Sequence, residues 1–379
     1  MKITGYRLLT TTHDWGRPIG DINGTIEDGV TSVPVVLLET DSGQVGVGVG
    51  TADGFDRVFP ALEGEDPRAV AYLYDRMLAQ VFKTGHAGEV FGAIGAFDMA
   101  LWDLKAKAAD QPLWRLLGGA DRYVPGYASA LCWPLTEQRV AEVYGEFAER
   151  GFGGAKLKGG RDAESDKRRL TIVRDVLRTN VRNPALMVDI NEALLPKQAL
   201  RHVAAIEKDL DLTWVEEPVR RWDAEGHAHV GRGIRAAIAS GENLTGLEQY
   251  RQLLELHAVD IVQAGSVWGI THFLRVSAVA HFFDLPVSPV AYLTNPLAHA
   301  AATIPNHLVT EVQTLRFPRG LQVDQEFDGG GIILGDQPGL GITVDETLMV
   351  PGPEAPIGKA PATGPHVRPR DAGRSLVSS

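Results

Sequence analysis

The sequence predicts an α/β protein: a (β/α)8-type barrel, modified from the TIM pattern, behind an N-terminal α+β capping domain. Three observations carry that prediction. Asp189, Glu216 and Glu242 each close a short apolar run, at steps of 27 and 26 residues, near the roughly 30 residues per strand-helix unit of a closed barrel. From about Pro125 onward, strand-like and helix-like patterns alternate, as a parallel β/α architecture requires. Before that point strand signals come first and helical patterning follows, which marks a separate α+β module.

Taken in order, the apolar run 33–40, the turn Asp41-Ser42-Gly43 and the run 45–49 read as a hairpin. Helical periodicity is best over 92–108, where Ile94, Phe97, Leu101 and Leu104 recur at three- and four-residue steps. The candidate barrel strands are 127–129, 155–158, 187–189, 214–216, 237–240, 261–263, 286–288 and 308–311. The last units are expected to be modified, with 329–349, rich in glycine turns, returning across the surface to the N-terminal module. The resulting division is a capping domain at 1–124, a barrel at 125–320, a return segment at 321–350 packing on the capping domain, and a flexible Pro/Gly/Ala-rich tail at 351–379.

Composition narrows the class of function. The chain has 379 residues, 44% hydrophobic and 22% charged, enough for a large core in a globular protein. Its formal net charge of -11, with no Lys/Arg cluster to offset it locally, disfavours nonspecific nucleic-acid binding. Small anionic substrates remain compatible if the pocket supplies its own cations. Cys132 is the single cysteine, so no intrachain disulfide forms. The first residues lack an apolar signal core, and no apolar span approaches the roughly 20 residues needed to cross a bilayer. A cytoplasmic location, with no membrane partner, is expected.

Three carboxylates at the mouths of successive parallel strands converge on one point, where they repel unless a cation sits between them. An all-oxygen set favours a hard ion such as Mg2+. One unit upstream, Lys156 and Lys158 alternate with Leu157. If Leu157 packs outward, both ammonium groups face the barrel interior. Desolvated, close together and beside a cation, each is expected to lose its proton more readily than in water, so that one serves as a general base. Taken alone, a Lys-x-Lys pair reads as a solvated strand edge, and a single acid after a strand as a turn residue or helix cap. The spacing favours the ligand reading. Glu217 competes with Glu216, since adjacent strand residues face opposite ways. Asn191 shares the face of Asp189 and reads equally as a cap or as a neighbour of the site.

At these residues the chain resembles the enolase superfamily, and within it the mandelate racemase-like group. The resemblance runs over about residues 1 to 350. It rests on Lys156-Leu157-Lys158, Asp189-Ile190-Asn191, Trp214-Val215-Glu216-Glu217-Pro218 and Ser240-Gly241-Glu242-Asn243, together with the helix 93–108 followed by Leu116-Leu117-Gly118-Gly119. It implies Mg2+ held by Asp189, Glu216 and Glu242, chelating a substrate carboxylate and stabilising the enediolate formed when the α-proton leaves. It further implies Lys158 as base, Lys156 as its electrostatic partner, and Glu311 as a hydrogen-bonding group for the substrate carboxylate. His13, Trp15, Arg17 and the loop bearing Phe55 match segments that in this family close over the barrel, although each read alone is a plain polar loop. Relatives commonly form homo-oligomers, from dimers to octamers.

The departures from the family pattern are equally informative. Many relatives carry a second catalyst on the opposite face, either a His-Asp pair from the seventh and sixth strands or a lysine after the sixth. Here the sixth run ends Gln263-Ala264-Gly265-Ser266-Val267-Trp268, and Val290 stands near the expected histidine. Trp268 reads as a wall on that side, and Tyr292 as the nearest replacement acid. The expected reaction is therefore one-base: Lys158 removes the α-proton of a small carboxylate substrate, and the same face protonates the departing β-hydroxyl. Syn elimination then gives a 2-keto acid from a sugar acid or hydroxy amino acid. A racemase or epimerase with an unrecognised second base, and an inactive metal-binding relative, are the alternatives.

Overall fold

The computed structural model describes residues 1–293 and 295–352, so the expected tail lies, from residue 353 on, outside the described residues. The N-terminal module is a four-stranded antiparallel sheet in the order Val350–Pro351, Ile3–Asp14, Val30–Thr40, Val45–Val49. The hairpin expected at 33–49 is present, its second strand forming one edge of the sheet, with Leu37 opposite Val47. The run Val45-Gly46-Val47-Gly48-Val49 explains how a helix lies against that strand. A Cβ at Gly48 would stand 1.9 Å from the Ala96 carbonyl oxygen, and one at Gly46 2.2 Å from that of Ala100.

That helix, Gly88–Ala108, is buried on most of its surface, because the sheet covers one side and the barrel another. Two buried carboxylates pin it. Asp98 accepts hydrogen bonds from the Thr271 N–H (2.7 Å) and hydroxyl (2.5 Å), satisfying the start of the barrel helix Ile270–Phe282. Asp103 accepts from the N–H groups of Val47 (2.9 Å) and Leu340 (2.8 Å) and pairs with Lys107 (2.6 Å). One helix thereby ties together the sheet, the barrel and the C-terminal return.

Eight parallel strands follow: Tyr123–Ser129, Gly154–Lys158, Ala185–Asp189, Trp214–Glu216, Ala237–Ser240, Ile261–Gly265, Val287–Val290 and Thr310–Val312. They pair in sequence from first to seventh, and the eighth pairs with the first, Glu311 opposite Tyr127. Between seventh and eighth there is a single parallel bridge, Val287 with His307, rather than a ladder. Side chains alternate as strand geometry demands. Leu157, Val188, Val215, Ile238 and Val262 belong to the large core shared with the helices, while Tyr127, Met187, Trp214, Ala239 and Ile261 form a second cluster inside the ring.

Beyond the eighth strand, Gly331–Leu334 adds antiparallel to the start of the first barrel strand, and Leu321–Val323 pairs with Ile342–Val344. The chain then reaches the N-terminal sheet, where Val350 lies opposite Thr10. Among the described residues no helix is long and apolar enough to cross a membrane.

Candidate active site

The register of the barrel assembles the site. Lys158 lies opposite Asp189, and Asp189 opposite Glu216, so three neighbouring strands present their last inward side chains on one level. Glu242 follows two residues after the fifth strand, past Gly241 at φ 130°, a left-handed conformation that costs glycine little. Carboxylate oxygens of Asp189, Glu216 and Glu242 lie within 4.8 Å of one another. Asp189 and Glu216 are fully buried and Glu242 is half-buried, so the cluster opens on the Glu242 side.

Both lysines point inward. Lys158 Nζ is 2.6 Å from Asp189 Oδ2. Lys156 Nζ bonds Glu216 and stands 2.9 Å from Glu311 Oε1 and 3.5 Å from Asp189 Oδ2, over the Tyr127 ring. The acids facing these ammonium groups act against the release of their protons. Burial works to lower both, but Asp189 for Lys158, and Glu216 and Glu311 for Lys156, outweigh it and raise both above the ordinary lysine value. The acids show the reciprocal imbalance. Burial, with the neighbouring acids, pushes Glu216 and Glu242 up to about 8. Burial also acts to raise Asp189, but Lys158 and Lys156 overcome it and hold Asp189 at about 2. A divalent cation among the three acids answers this excess of buried negative charge, and an all-carboxylate donor set suits a hard ion.

Several further residues brace the cluster. Gln263 Nε2 donates to Glu216 Oε2 (2.6 Å), as does the Trp214 indole (3.2 Å). The Asn191 N–H donates to Asp189 Oδ1 (2.9 Å). Glu217 departs from strict strand alternation. With φ at 42° its backbone leaves the strand, and its buried carboxylate accepts from Asn243 Nδ2 (3.0 Å). The alternation rule leaves room for one of the two adjacent acids, but the turn brings Glu217 close enough to raise Glu242. Glu311 Oε2 accepts from the Ala291 N–H (2.5 Å), and its carboxyl lies below the ordinary value because Lys156 and then Lys158 outweigh its burial.

The weaker candidates scatter. Trp268 donates from its indole to the Glu242 carbonyl (2.6 Å) and packs on Phe91. With Asn243, Arg221 and Trp222 it lines a cavity of about 710 Å3 that none of the three acids or two lysines reaches. His13, Trp15 and Tyr292 share ring contacts of 4.8 to 5.4 Å. Arg17 donates to the Ala130 carbonyl (2.8 Å), beside the helix Glu137–Glu149. Phe55 turns into the N-terminal core against Phe97 and Tyr6. Trp15, Arg17 and Tyr292 lie outside regular elements, so no side-chain period gives their directions.

Comparison with known proteins places this geometry. The enolase C-terminal domain-like family matches residues 138–348, and the mandelate racemase/muconate lactonizing enzyme N-terminal domain matches residues 10–118. L-talarate/galactarate dehydratase of Salmonella typhimurium is 34% identical over 292 residues, spanning 75% of this chain and 71% of its own. Arabinonate dehydratase of Saccharolobus solfataricus is 28% identical, spanning 82% and 88%. Among solved structures, a racemase from Streptomyces coelicolor with bound magnesium superposes with a TM-score of 0.83 at 26% identity, covering 92% of this chain and 100% of that one. L-talarate dehydratase from Polaromonas, complexed with Mg and L-glucarate, gives 0.80 at 30%, covering 92% and 96%.

Proposed function

Because the chain belongs to the mandelate racemase/muconate lactonizing enzyme family of the enolase superfamily, we propose that it dehydrates a sugar acid to a 2-keto acid with Mg2+ as cofactor. The observation that carries this reading is an asymmetry. Two ammonium groups stand on the second strand, whereas the sixth and seventh strands run out into Ser266-Val267-Trp268 and Val290-Ala291, with no lysine, histidine or carboxylate at the expected places.

Asp189, Glu216 and Glu242 would hold the ion, and its chemistry is that of a Lewis acid, taking up negative charge that develops on the substrate carboxylate. With the three acids so engaged, the lysines lose much of the attraction that holds their protons, and desolvation acts with less opposition. Lys158 then takes the α-proton on Nζ. The electron pair left on the α-carbon expels the β-hydroxyl, which collects a proton from Lys158 or Lys156 and departs as water. The resulting enol tautomerises to the 2-keto acid. Glu311, fixed by the Ala291 N–H and Lys156, orients the substrate carboxylate. The substrate class is supported by relatives named as talarate/galactarate, arabinonate and xylonate dehydratases and by the glucarate complex of a solved neighbour. A cytoplasmic location and a homo-oligomeric state are part of the same proposal, the latter supported by the exposed aromatic side chains of Trp222 and Phe282.

Incubation with Mg2+ and a panel of sugar acids and hydroxyprolines in deuterated water tests the reaction. A 2-keto product is expected. Deuterium at the α-carbon of recovered substrate, with no keto acid, would point instead to the racemase chemistry found among the relatives. Neither outcome with any acid would leave a metal-binding protein without turnover.

A further inference from the structure

Glu242 is held differently from the other two acids of the cluster. Asp189 and Glu216 close strands whose ladders fix them against their neighbours. Glu242 stands in the turn after the fifth strand, half-buried and beyond the last paired residue, Ser240. A ligand on a loose turn has to be ordered when an ion binds, which weakens binding. Two aromatic side chains fasten this turn. The Tyr250 hydroxyl, from the helix Leu247–Glu255, lies 3.0 Å from both the Gly241 and the Gln263 carbonyl oxygens, so it joins the turn to the sixth strand. The Trp268 indole N–H donates to the carbonyl of Glu242 itself (2.6 Å).

The backbone is shaped to admit both groups. A Cβ at Gly241 would stand 2.4 Å from the Gln263 carbonyl oxygen and 2.9 Å from the Tyr250 ring. One at Gly265 would stand 2.5 Å from the Glu242 carbonyl oxygen and 2.8 Å from Trp268 Nε1. Trp268 is in turn held from outside the barrel. Its ring packs on Phe91, with centroids 5.7 Å apart, and Gly95 of the same helix, Gly88–Ala108, approaches the carbonyl groups of Val267 and Trp268. An indole has one donor and no acceptor. With that donor engaged by Glu242, the residue at the end of the sixth strand serves the acid cluster and has no proton for a substrate.

We propose that Trp268 and Tyr250 are positioning residues for Glu242, fixing the turn that carries it so that its carboxylate meets those of Asp189 and Glu216 before the ion arrives. Through Trp268, the seating of the N-terminal helix on the barrel also sets the third ligand. This inference rests on the assignment of Asp189, Glu216 and Glu242 to Mg2+ made above.

Calorimetric titration with Mg2+ tests this in wild type, Trp268→Phe, Tyr250→Phe, Glu242→Gln and the double variant Trp268→Phe/Glu242→Gln, with Trp114→Phe as control. Trp114 is buried and its indole also donates to a backbone carbonyl, that of Gly335 (3.0 Å), but it does so between the short helix Leu113–Leu116 and the C-terminal return. Trp268→Phe and Tyr250→Phe should each weaken Mg2+ binding roughly three- to tenfold, the worth of one neutral hydrogen bond. Trp114→Phe should change it by less than about twofold, as a distant and independent site does. In the Glu242→Gln background, Trp268→Phe should also change affinity by less than about twofold, because its effect passes through a ligand already altered, whereas a general loosening of the fold would persist there. Unchanged affinity in either aromatic variant, an equal loss in Trp114→Phe, or a loss undiminished in the Glu242→Gln background overturns the proposal. If Glu242→Gln binds Mg2+ as tightly as wild type, or wild type does not bind it, the ligand assignment falls and the proposal with it. If Glu242→Gln weakens binding and the aromatic variants do not, the assignment stands and the proposal alone falls.

Discussion

Glu216 shows how much of the site rests on single contacts. Its carboxylate is met by Lys156 from the second strand, Trp214 from its own and Gln263 from the sixth. Removing the Gln263 donor leaves a buried carboxylate oxygen with less to hold it in place for a cation. Gln263→Leu is therefore expected to weaken Mg2+ binding by about 10- to 100-fold, as loss of an outer hydrogen bond to a metal ligand commonly does. Calorimetric titration measures it, and unchanged affinity would mean that Gln263 fills space only. Asp189, Glu216 and Glu242 are legible in the sequence because each ends an apolar run at a regular interval. Gln263 is not, because an amide in an apolar run gives no sign of which acid it will meet. Glu217 escapes the sequence reading for a related reason: the alternation rule assumes a continuing strand, and its φ of 42° ends that strand.

Among the elements, the helix Gly88–Ala108 most directly couples the two modules. Its period is readable, but its burial on most sides is not, since a single helix pattern does not show that sheet and barrel both press on it. Gly95 marks its close approach to the barrel: a Cβ there would stand 2.2 Å from the Val267 carbonyl oxygen and 2.7 Å from the Trp268 carbonyl carbon. Because both are main-chain atoms, Gly95→Val must displace the helix or the segment bearing Trp268. A loss of about 1–3 kcal/mol is expected, as for overpacking in a tight core. Gly145, in the helix Glu137–Glu149, provides the contrast, since a Cβ added there would meet nothing within 4 Å. Gly145→Ala should add about 0.5–1 kcal/mol through helix propensity alone. Urea unfolding of both variants measures this, and a Gly95→Val protein as stable as wild type would remove close packing as the basis of the docking.

Across the whole molecule, the barrel holds the acids and the two lysines, and the N-terminal module packs against its mouth. The short ribbon Ile19–Asp21 and Gly24–Ile26 crosses the mouth, with Gly20 bridged to Cys132 after the first strand and Asn23 bonded to the Asn191 carbonyl (3.3 Å) after the third. On the other side, the Thr245 hydroxyl donates to the His86 carbonyl (2.6 Å). The order of strands and helices is written in the spacing of apolar runs. The seating of the cover is not, because it depends on loop residues such as Trp15 and Arg17, whose directions only the folded chain decides. What the combined molecule encloses is a ring of acids with both lysines on one side.

The most direct test of that asymmetry is the rate of Mg2+-dependent 2-keto acid formation by Lys158→Ala beside wild type, with circular dichroism confirming the fold of both. A fall of about 10²- to 10⁴-fold, the usual contribution of a general base, is the predicted result. Keto acid produced at an undiminished rate would contradict the account, since the α-proton would then be leaving to a group other than Lys158.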